Sequence, residues 1–149
     1  TLAKKKSIPK LEEVKNEMGL LIKNAKHIVF AGYSLPLDDI MVKTFFMTIL
    51  SGNDKNNLKC SVVNFDSDYH CEKSWLYGDE IEKYLKISTH PGSIGCIKNA
   101  CDIFKPDNVR VSLKGIPYIF SENGSCSREL LIELLYPKEY FPGGFPVDR

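Results

Sequence analysis

Short apolar runs that alternate with helical periodicity constrain the fold of this chain more than any other feature of its sequence. Residues 27–31 (His-Ile-Val-Phe-Ala) and 59–65 (Lys-Cys-Ser-Val-Val-Asn-Phe) are rich in β-branched and aromatic side chains. Runs of this kind are typical of strands that are buried on both faces of a parallel sheet. We therefore predict two buried strands, and Gly32 ends the first of them.

Helical spacing appears before and between these runs. An apolar stripe at helical spacing predicts an amphipathic helix over residues 9–25; its members are Leu11, Val14, Met18, Leu21, Ile22 and Ala25. A second helix is expected at about residues 40–50, and one or two short helices, broken at Gly78, are expected within 69–84. A last helix is expected to begin at an N-cap, Ser93, and to end at about residue 104. The alternating run at 84–89 predicts a third strand.

The order of elements over residues 9–104 predicts an α/β fold. Strands that alternate with helices form a parallel sheet covered on both faces, which gives a three-layer, partial Rossmann-like arrangement. Three strands make a thin sheet, because sheets more often have five or six. Since the sequence also lacks an initiator Met, we interpret the chain as a piece of a longer protein.

Residues 105–149 differ in character and are predicted to form a small α+β extension. A hairpin is expected from strands at 109–113 and 116–120, followed by a short helix over 129–136. The last residues are aromatic and include Tyr136, Tyr140, Phe141 and Phe145. We expect these rings to pack against the body of the protein; a surface that joins copies of the chain is the alternative.

Charge and cysteine usage narrow the classes of function. The chain has 20 Lys and Arg against 19 Asp and Glu, and this net charge of +1 argues against a nucleic-acid partner. No apolar run reaches about 18 residues, so no membrane-spanning helix is expected. The five cysteines show no CxxC spacing, which favours free thiols in a reducing cytoplasm and no bound metal.

Polar and small residues follow each predicted strand, where ligands bind in open parallel sheets. The candidate ligand-binding residues are Gly32, Tyr33, Ser34, Asn64, Asp66, Gly92 and Ser93. A glycine allows close approach of a phosphate or ribose, and amide and carboxylate groups can bond ribose hydroxyls. Free N–H groups at the start of a helix suit an anion or a base edge. Together they predict a nucleotide pocket.

The segment around the first strand resembles the C-terminal part of a SIR2-like (sirtuin-related) domain of the bacterial type. Ala25 ends a helix, an apolar strand follows, and residues 32–36 read Gly-Tyr-Ser-Leu-Pro before the acidic pair Asp38-Asp39. The resemblance covers about residues 10–104. It implies that the segment at residues 32–34 contacts NAD, that Asn64 binds the adenine ribose, and that Gly92-Ser93 lies near the adenine.

The resemblance also implies what this chain lacks. Neither the family's glycine-rich phosphate loop nor a histidine in its catalytic context is present, and the zinc cysteines of the deacylases are missing. The expectation is therefore an NAD-binding portion that is inactive alone, within a parent protein that cleaves NAD as a glycohydrolase or a deacylase. A non-catalytic nucleotide-binding or protein-interaction module is the alternative.

Overall fold

A four-stranded sheet forms the centre of the computed structural model, which describes residues 9–32, 40–51, 58–122 and 124–135. The strands are β1 (His27–Ala31), β2 (Lys59–Val63), β3 (Leu76–Tyr77) and β4 (Val109–Ser112), and their order across the sheet is β1-β2-β4-β3. Strands β1, β2 and β4 run parallel, whereas the short β3 is antiparallel to β4. The predicted α/β class with a mostly parallel sheet is confirmed.

Six α-helices accompany this sheet in the described part of the chain, besides a single 3₁₀ turn at Pro106–Asn108. They are α1 (Pro9–Asn24), α2 (Ile40–Leu50), α3 (Gly78–Ile87), α4 (Pro91–Phe104), α5 (Gly115–Phe120) and α6 (Arg128–Leu135). Two further strands, β5 (Ser121–Glu122) and β6 (Ser125–Cys126), pair into a small antiparallel ribbon. The helices predicted at the start of the chain and after β1 are confirmed.

The two faces of the sheet carry different helices. Side chains alternate along each strand, so Val62 faces a core formed with α2 and α4. Phe30, Phe46 and Phe104 interlock in that core with ring centroids 5.6–6.0 Å apart. Val63 faces the other way, toward Ile119 of α5 and Leu134 of α6. Helices therefore cover both faces, an arrangement compatible with a Rossmann-like layout.

The third strand predicted at 84–89 is wrong. Residues 84–87 belong to α3, and only the segment after Ile87 is extended. Ile81 and Tyr84, three residues apart, bury one helical face, while Ile87 stays exposed. The helical face explains the apolar residues better than alternation does. Gly78 begins this helix, and residues 69–75 before it are not helical.

The hairpin predicted for the C-terminal extension is also wrong. Its first half is β4, which lies inside the sheet between β2 and β3 and supplies the third parallel strand. Its second half is α5. Pro117 lies in the first turn of that helix, where a missing N–H costs nothing. The predicted aromatic tail lies beyond the described residues.

Candidate functional site

The carboxyl ends of the three parallel strands, β1, β2 and β4, lie at one end of the sheet. The sequence predicts β1 and β2 there, whereas β4 takes the place of the strand predicted at 84–89. The Gly32 N–H donates to the Val63 carbonyl over 2.9 Å, and the Asn64 N–H donates to the Ser112 carbonyl over 2.8 Å. The Gly115 N–H then donates to the Asn64 carbonyl over 2.9 Å. We call Gly32, residues 64–66 and residues 112–115 the carboxyl rim, because these bonds hold them together beyond the strands.

Gly32 occupies a position on this rim that disfavours any residue with a side chain. Its φ of +67° is in the left-handed region, and an added Cβ would lie 3.0 Å from the Ile116 Cδ1 atom of α5. Backbone strain and contact therefore both favour glycine. The same distance shows that an isoleucine side chain stands beside the end of β1. Tyr33 and Ser34, the next two predicted site residues, lie outside the described residues.

Asn64 follows β2 and carries an unused hydrogen-bond donor. Its Oδ1 atom accepts from the Phe65 N–H over 3.0 Å. Its Nδ2 atom is buried and has no hydrogen-bond partner among the residues that the structure describes. A buried donor left in this state costs about 1–3 kcal/mol, so a ligand that accepts this bond would recover free energy.

Asp66 lies on the rim, and its carboxylate is buried and bonded within the protein. One oxygen accepts from the Asp68 N–H over 3.0 Å, and the other accepts from the Tyr84 hydroxyl over 2.7 Å and from Ser88 Oγ over 3.3 Å. Burial raises the pKa of Asp66, but these hydrogen bonds outweigh it and hold the pKa below its usual value. Burial raises the pKa of Tyr84 to about 12. The geometry shows Asp66 fastening the rim to α3.

Gly92 and Ser93 lie in the first turn of α4, at the same end of the sheet. A helix that connects two parallel strands runs opposite to them, so α4 begins near the carboxyl rim. The predicted cap is corrected: His90, not Ser93, is the N-cap, and its Nδ1 atom accepts from the Ser93 N–H over 3.2 Å. The Ser93 side chain is fully buried.

A cleft of about 710 Å³ opens at the carboxyl ends of β2 and β4. It is lined by Phe65, Asp66, Ser67, Tyr69, His70, Cys71, Glu72, Leu113, Lys114 and Tyr118. Asp66 is the one predicted site residue among them. The sequence analysis missed Lys114 and Tyr118 because it predicted Lys114 in the turn of a hairpin and Tyr118 on its second strand. Their spacing of four residues, which brings side chains together on a helix, was the signal.

A polar network crosses the sheet on the face that α5 and α6 cover. Arg110 Nε donates to Ser61 Oγ over 2.6 Å, and Ser61 Oγ shares a hydrogen bond of 2.7 Å with His27 Nε2. The guanidinium also lies 3.7 Å from the centre of the Trp75 ring. Burial, aided by the charge of Arg110, lowers the pKa of His27 to about 4 against a weaker opposing effect of the Leu135 carbonyl. Because Ser61 is fully buried, the network joins strands rather than meeting a substrate.

Three of the five thiols, those of Cys60, Cys96 and Cys101, are not activated nucleophiles. Burial raises the pKa of Cys96 to about 12, that of Cys101 to about 11 and that of Cys60 well above its usual value. Thiolates are the reactive form, so these three groups are inert at neutral pH. Within the described ranges, no three His, Cys, Asp or Glu side chains cluster as a metal would require. None of the described helices combines the length and apolar character needed to cross a membrane.

The chain was compared with protein-family models, with curated proteins and with solved structures, and none of the three comparisons finds a match.

Proposed function

We propose that the carboxyl rim binds the adenosine diphosphate part of a nucleotide, and that the nucleotide is NAD. The observation that carries this proposal is the buried Nδ2 atom of Asn64, which has no partner among the described residues and lies between the ends of β1 and β4. Ligands of open parallel sheets bind outside the carboxyl ends of the strands. An acceptor such as a ribose hydroxyl would satisfy this amide.

The neighbouring residues suit the remaining parts of such a ligand. Gly32 is exposed at the end of β1, where Ile116 fills the space that its Cβ would take, so a phosphate or ribose would contact its backbone. At the start of α4 the Ser93 N–H is already bonded to His90, so Gly92 is the residue of this turn that we propose near the adenine. Residues 33 and 34 follow Gly32 directly and complete the segment that resembles the NAD-contacting segment of SIR2-like domains. Asp66 would act indirectly, because its carboxylate is already bonded to Tyr84 and Ser88.

Cleavage of NAD is proposed for the parent protein and not for these residues by themselves. The resemblance to SIR2-like domains places the glycine-rich loop and the catalytic histidine outside this chain. Here the chain supplies binding and orientation of the adenosine side. An NAD glycohydrolase and a deacylase are both consistent with that role, and the missing zinc cysteines favour the glycohydrolase.

Backbone NMR during titration with ADP-ribose tests this function. We expect amide shifts at Gly32, Asn64 and Gly92 with millimolar ligand, and none at the exposed α1 residue Leu20. Nicotinamide mononucleotide, which lacks the adenosine, serves as the control ligand and should leave Asn64 unshifted. Absence of shifts at the rim with ADP-ribose would contradict the proposal.

A second candidate function, interaction with a further portion of the parent protein, is favoured by one edge of the sheet. In the described residues β1 is paired on one side alone, with β2. The helix that precedes β1 in the chain, α1, packs on α2 and leaves most of its apolar stripe exposed, including Leu11, Val14 and Leu21. An open parallel edge next to an apolar helix face suits one occupant, an additional strand and helix that extend the same sheet.

Hydrogen exchange of α1 and β1 tests this second candidate. In the intact parent protein we expect slower exchange of the α1 amides and of β1 than in these 149 residues, because an added strand would cover both. The amides of β4 are already internal to the sheet and serve as the reference. Equal exchange of α1 and β1 in the two proteins would rule out this interface.

A further inference from the structure

The cleft at the carboxyl ends of β2 and β4 combines an aromatic wall with a cationic group. Phe65 is 61% exposed and lies at the wall of the cleft, where an isolated β-bridge pairs it with Lys114. Tyr69 lines the same cleft. The volume of about 710 Å³ lies within the range of small-molecule sites. The aromatic rings of Phe65 and Tyr69 suit a planar ligand, because flat rings can stack on one another.

Lys114 directs its ammonium group toward this space. Its Nζ atom donates to the Glu72 carbonyl over 2.9 Å and to the Tyr118 hydroxyl over 3.3 Å, and it stands 4.5 Å from the centre of the Tyr118 ring. These contacts fix the position of the charge. An ammonium has three N–H donors, so the bonds to Glu72 and Tyr118 leave one for a ligand.

Tyr118 presents a hydroxyl next to this charge. The phenol oxygen accepts from Lys114 and lies 3.5 Å from Ser74 Oγ. Hydrogen bonds from Ser74 and then Lys114, with the charge of Lys114, outweigh burial and lower the pKa of Tyr118. A phenol that is more acidic is a stronger hydrogen-bond donor, so its O–H is suited to an oxyanion.

The acidic groups around the cleft leave this corner open to an anion. The Asp66 carboxylate is buried and turned toward Tyr84 and Ser88. Glu72 is exposed to solvent, and its backbone carbonyl, rather than its carboxylate, meets Lys114. His70 is a second basic group on the wall.

We infer that this cleft binds an aromatic ring that carries an oxyanion, with Lys114 and Tyr118 on the anion and Phe65 along the ring. Phosphate and carboxylate share the required chemistry. The cleft adjoins the carboxyl rim and shares Phe65, Asp66, Leu113 and Lys114 with it. The inference goes beyond nucleotide binding, because Gly32 and Asn64, on which that proposal rests, do not line the cleft.

Titrations with phenyl phosphate, benzoate and inorganic phosphate, followed by NMR, test the inference. Phenyl phosphate or benzoate should shift the amides of Phe65, Lys114 and Tyr118, and the tighter of the two identifies the anion. Inorganic phosphate should bind more weakly than phenyl phosphate, because it lacks the ring. If neither aromatic anion shifts these amides at tens of millimolar, or if inorganic phosphate binds as tightly as phenyl phosphate, the inference is wrong.

Variants of two lysines distinguish binding in the cleft from a general effect of positive charge on the protein. Lys114→Gln should weaken binding of the aromatic anion about tenfold or more, and Lys114→Arg should restore much of it. Lys98→Gln, at an exposed position of α4, is the matched control and should change nothing. Equal losses in the two glutamine variants would overturn the inference. Shifts at Asn64 with ADP-ribose should persist in Lys114→Gln, which keeps the two proposals distinguishable.

A spectroscopic readout checks the pairing of Lys114 with Tyr118 directly. With ¹³C-labelled tyrosine, the pKa of Tyr118 should rise in Lys114→Gln and remain as in the wild type in Lys98→Gln. A correctly folded Lys114→Gln variant in which the Tyr118 pKa is unchanged would overturn the assignment of Lys114 as its partner.

Discussion

The centre of the sheet and its β1 edge are built differently. In the centre, Val62, Val63 and Val111 are completely buried. Ile97 and Ala100 of α4, which are also without exposure, share one core with Val62 and Val111. At the edge, no residue of β1 is fully buried, and most of the α1 stripe is exposed. The centre therefore completes its own core, whereas the edge presents apolar surface of the kind that marks an interaction site.

The candidate site lies where the β1 edge and the centre of the sheet meet. Gly32 belongs to the edge and Asn64 to the centre, and a single hydrogen bond between Gly32 and Val63 closes the rim between them. Anything that covers the edge would adjoin the proposed nucleotide. Binding at the rim and completion of the edge are therefore expected to support each other.

The largest expected effect contrasts one leucine of each region. Leu50 is 1% exposed and Leu21 is 73% exposed. Leu50→Ala should lower the free energy of unfolding by about 2–5 kcal/mol, because it leaves a cavity. Leu21→Ala should change it by less than about 0.5 kcal/mol. Urea denaturation measures both, and similar losses would show that the edge is packed as tightly as the centre.

A pH dependence is expected where the two regions join through His27. The folded protein holds the pKa of His27 at about 4, against an ordinary value of 6.5. The unfolded chain therefore takes up the proton first as the pH falls. The free energy of unfolding is therefore highest above pH 6.5, where His27 is neutral in both states, and it falls as the pH drops toward 4. The expected loss of unfolding free energy by pH 5 is about 2 kcal/mol.

Urea titrations at pH 7 and pH 5 check this loss. His27→Gln should remove most of the difference in unfolding free energy between the two pH values. His70→Gln, at an exposed position, should retain it. The burial of His27 would be contradicted if the wild type and His27→Gln lost stability equally.

A smaller effect is expected at the bond that fastens the rim to α3. Tyr84→Phe removes the hydroxyl that donates to Asp66 over 2.7 Å. The expected loss is about 1 kcal/mol of unfolding free energy, with a rise in the pKa of Asp66 measured by carboxyl NMR. Tyr69→Phe, which leaves the Asp66 bonds intact, is the control. An unshifted Asp66 pKa in Tyr84→Phe would refute this role.

The smallest expected effect concerns an ion pair on the surface of the centre. Lys43 Nζ of α2 lies 2.6 Å from Asp102 Oδ2 of α4, and both side chains are substantially exposed. Exposed pairs contribute about 0–1 kcal/mol, so Lys43→Gln should shift the urea midpoint little. A loss as large as that of Leu50→Ala would show that the pair, rather than the core, holds α2 on α4.

The sequence predicts the parts of this fold whose apolar pattern has one interpretation. Strands β1 and β2 read as continuous apolar runs, and α2 lies between polar segments, so their assignments hold. The residues that begin at Tyr84 fit both the alternating pattern of a strand and the apolar face of a helix. In the structure Ile81 and Tyr84 are buried together, which is the helical pattern. The position of a strand in a sheet depends on its pairing with strands that are distant in the sequence. Local sequence therefore predicts a hairpin at β4 instead of a central strand.

In the candidate site, too, some features follow from the local sequence and others depend on contacts between distant segments. The rim follows from rules about parallel strands, so the sequence predicts Gly32 and Asn64 at the same end of the sheet. The cleft depends on α5, whose Pro117 and short length hide its helical character. Lys114 and Tyr118 were therefore missed. The role of Asp66 in holding Tyr84 and Ser88 also depends on a contact between distant segments, which local sequence does not carry.

Calorimetry of ADP-ribose binding to the wild type, Asn64→Ala and Asn24→Ala tests the central claim most directly. The buried Asn64 amide is expected to bond the ligand, so Asn64→Ala should weaken binding by about 1–3 kcal/mol. Asn24, whose side chain bonds the Leu20 carbonyl on α1, should be replaceable without effect. Equal affinities of the wild type and Asn64→Ala would contradict nucleotide binding at the carboxyl rim.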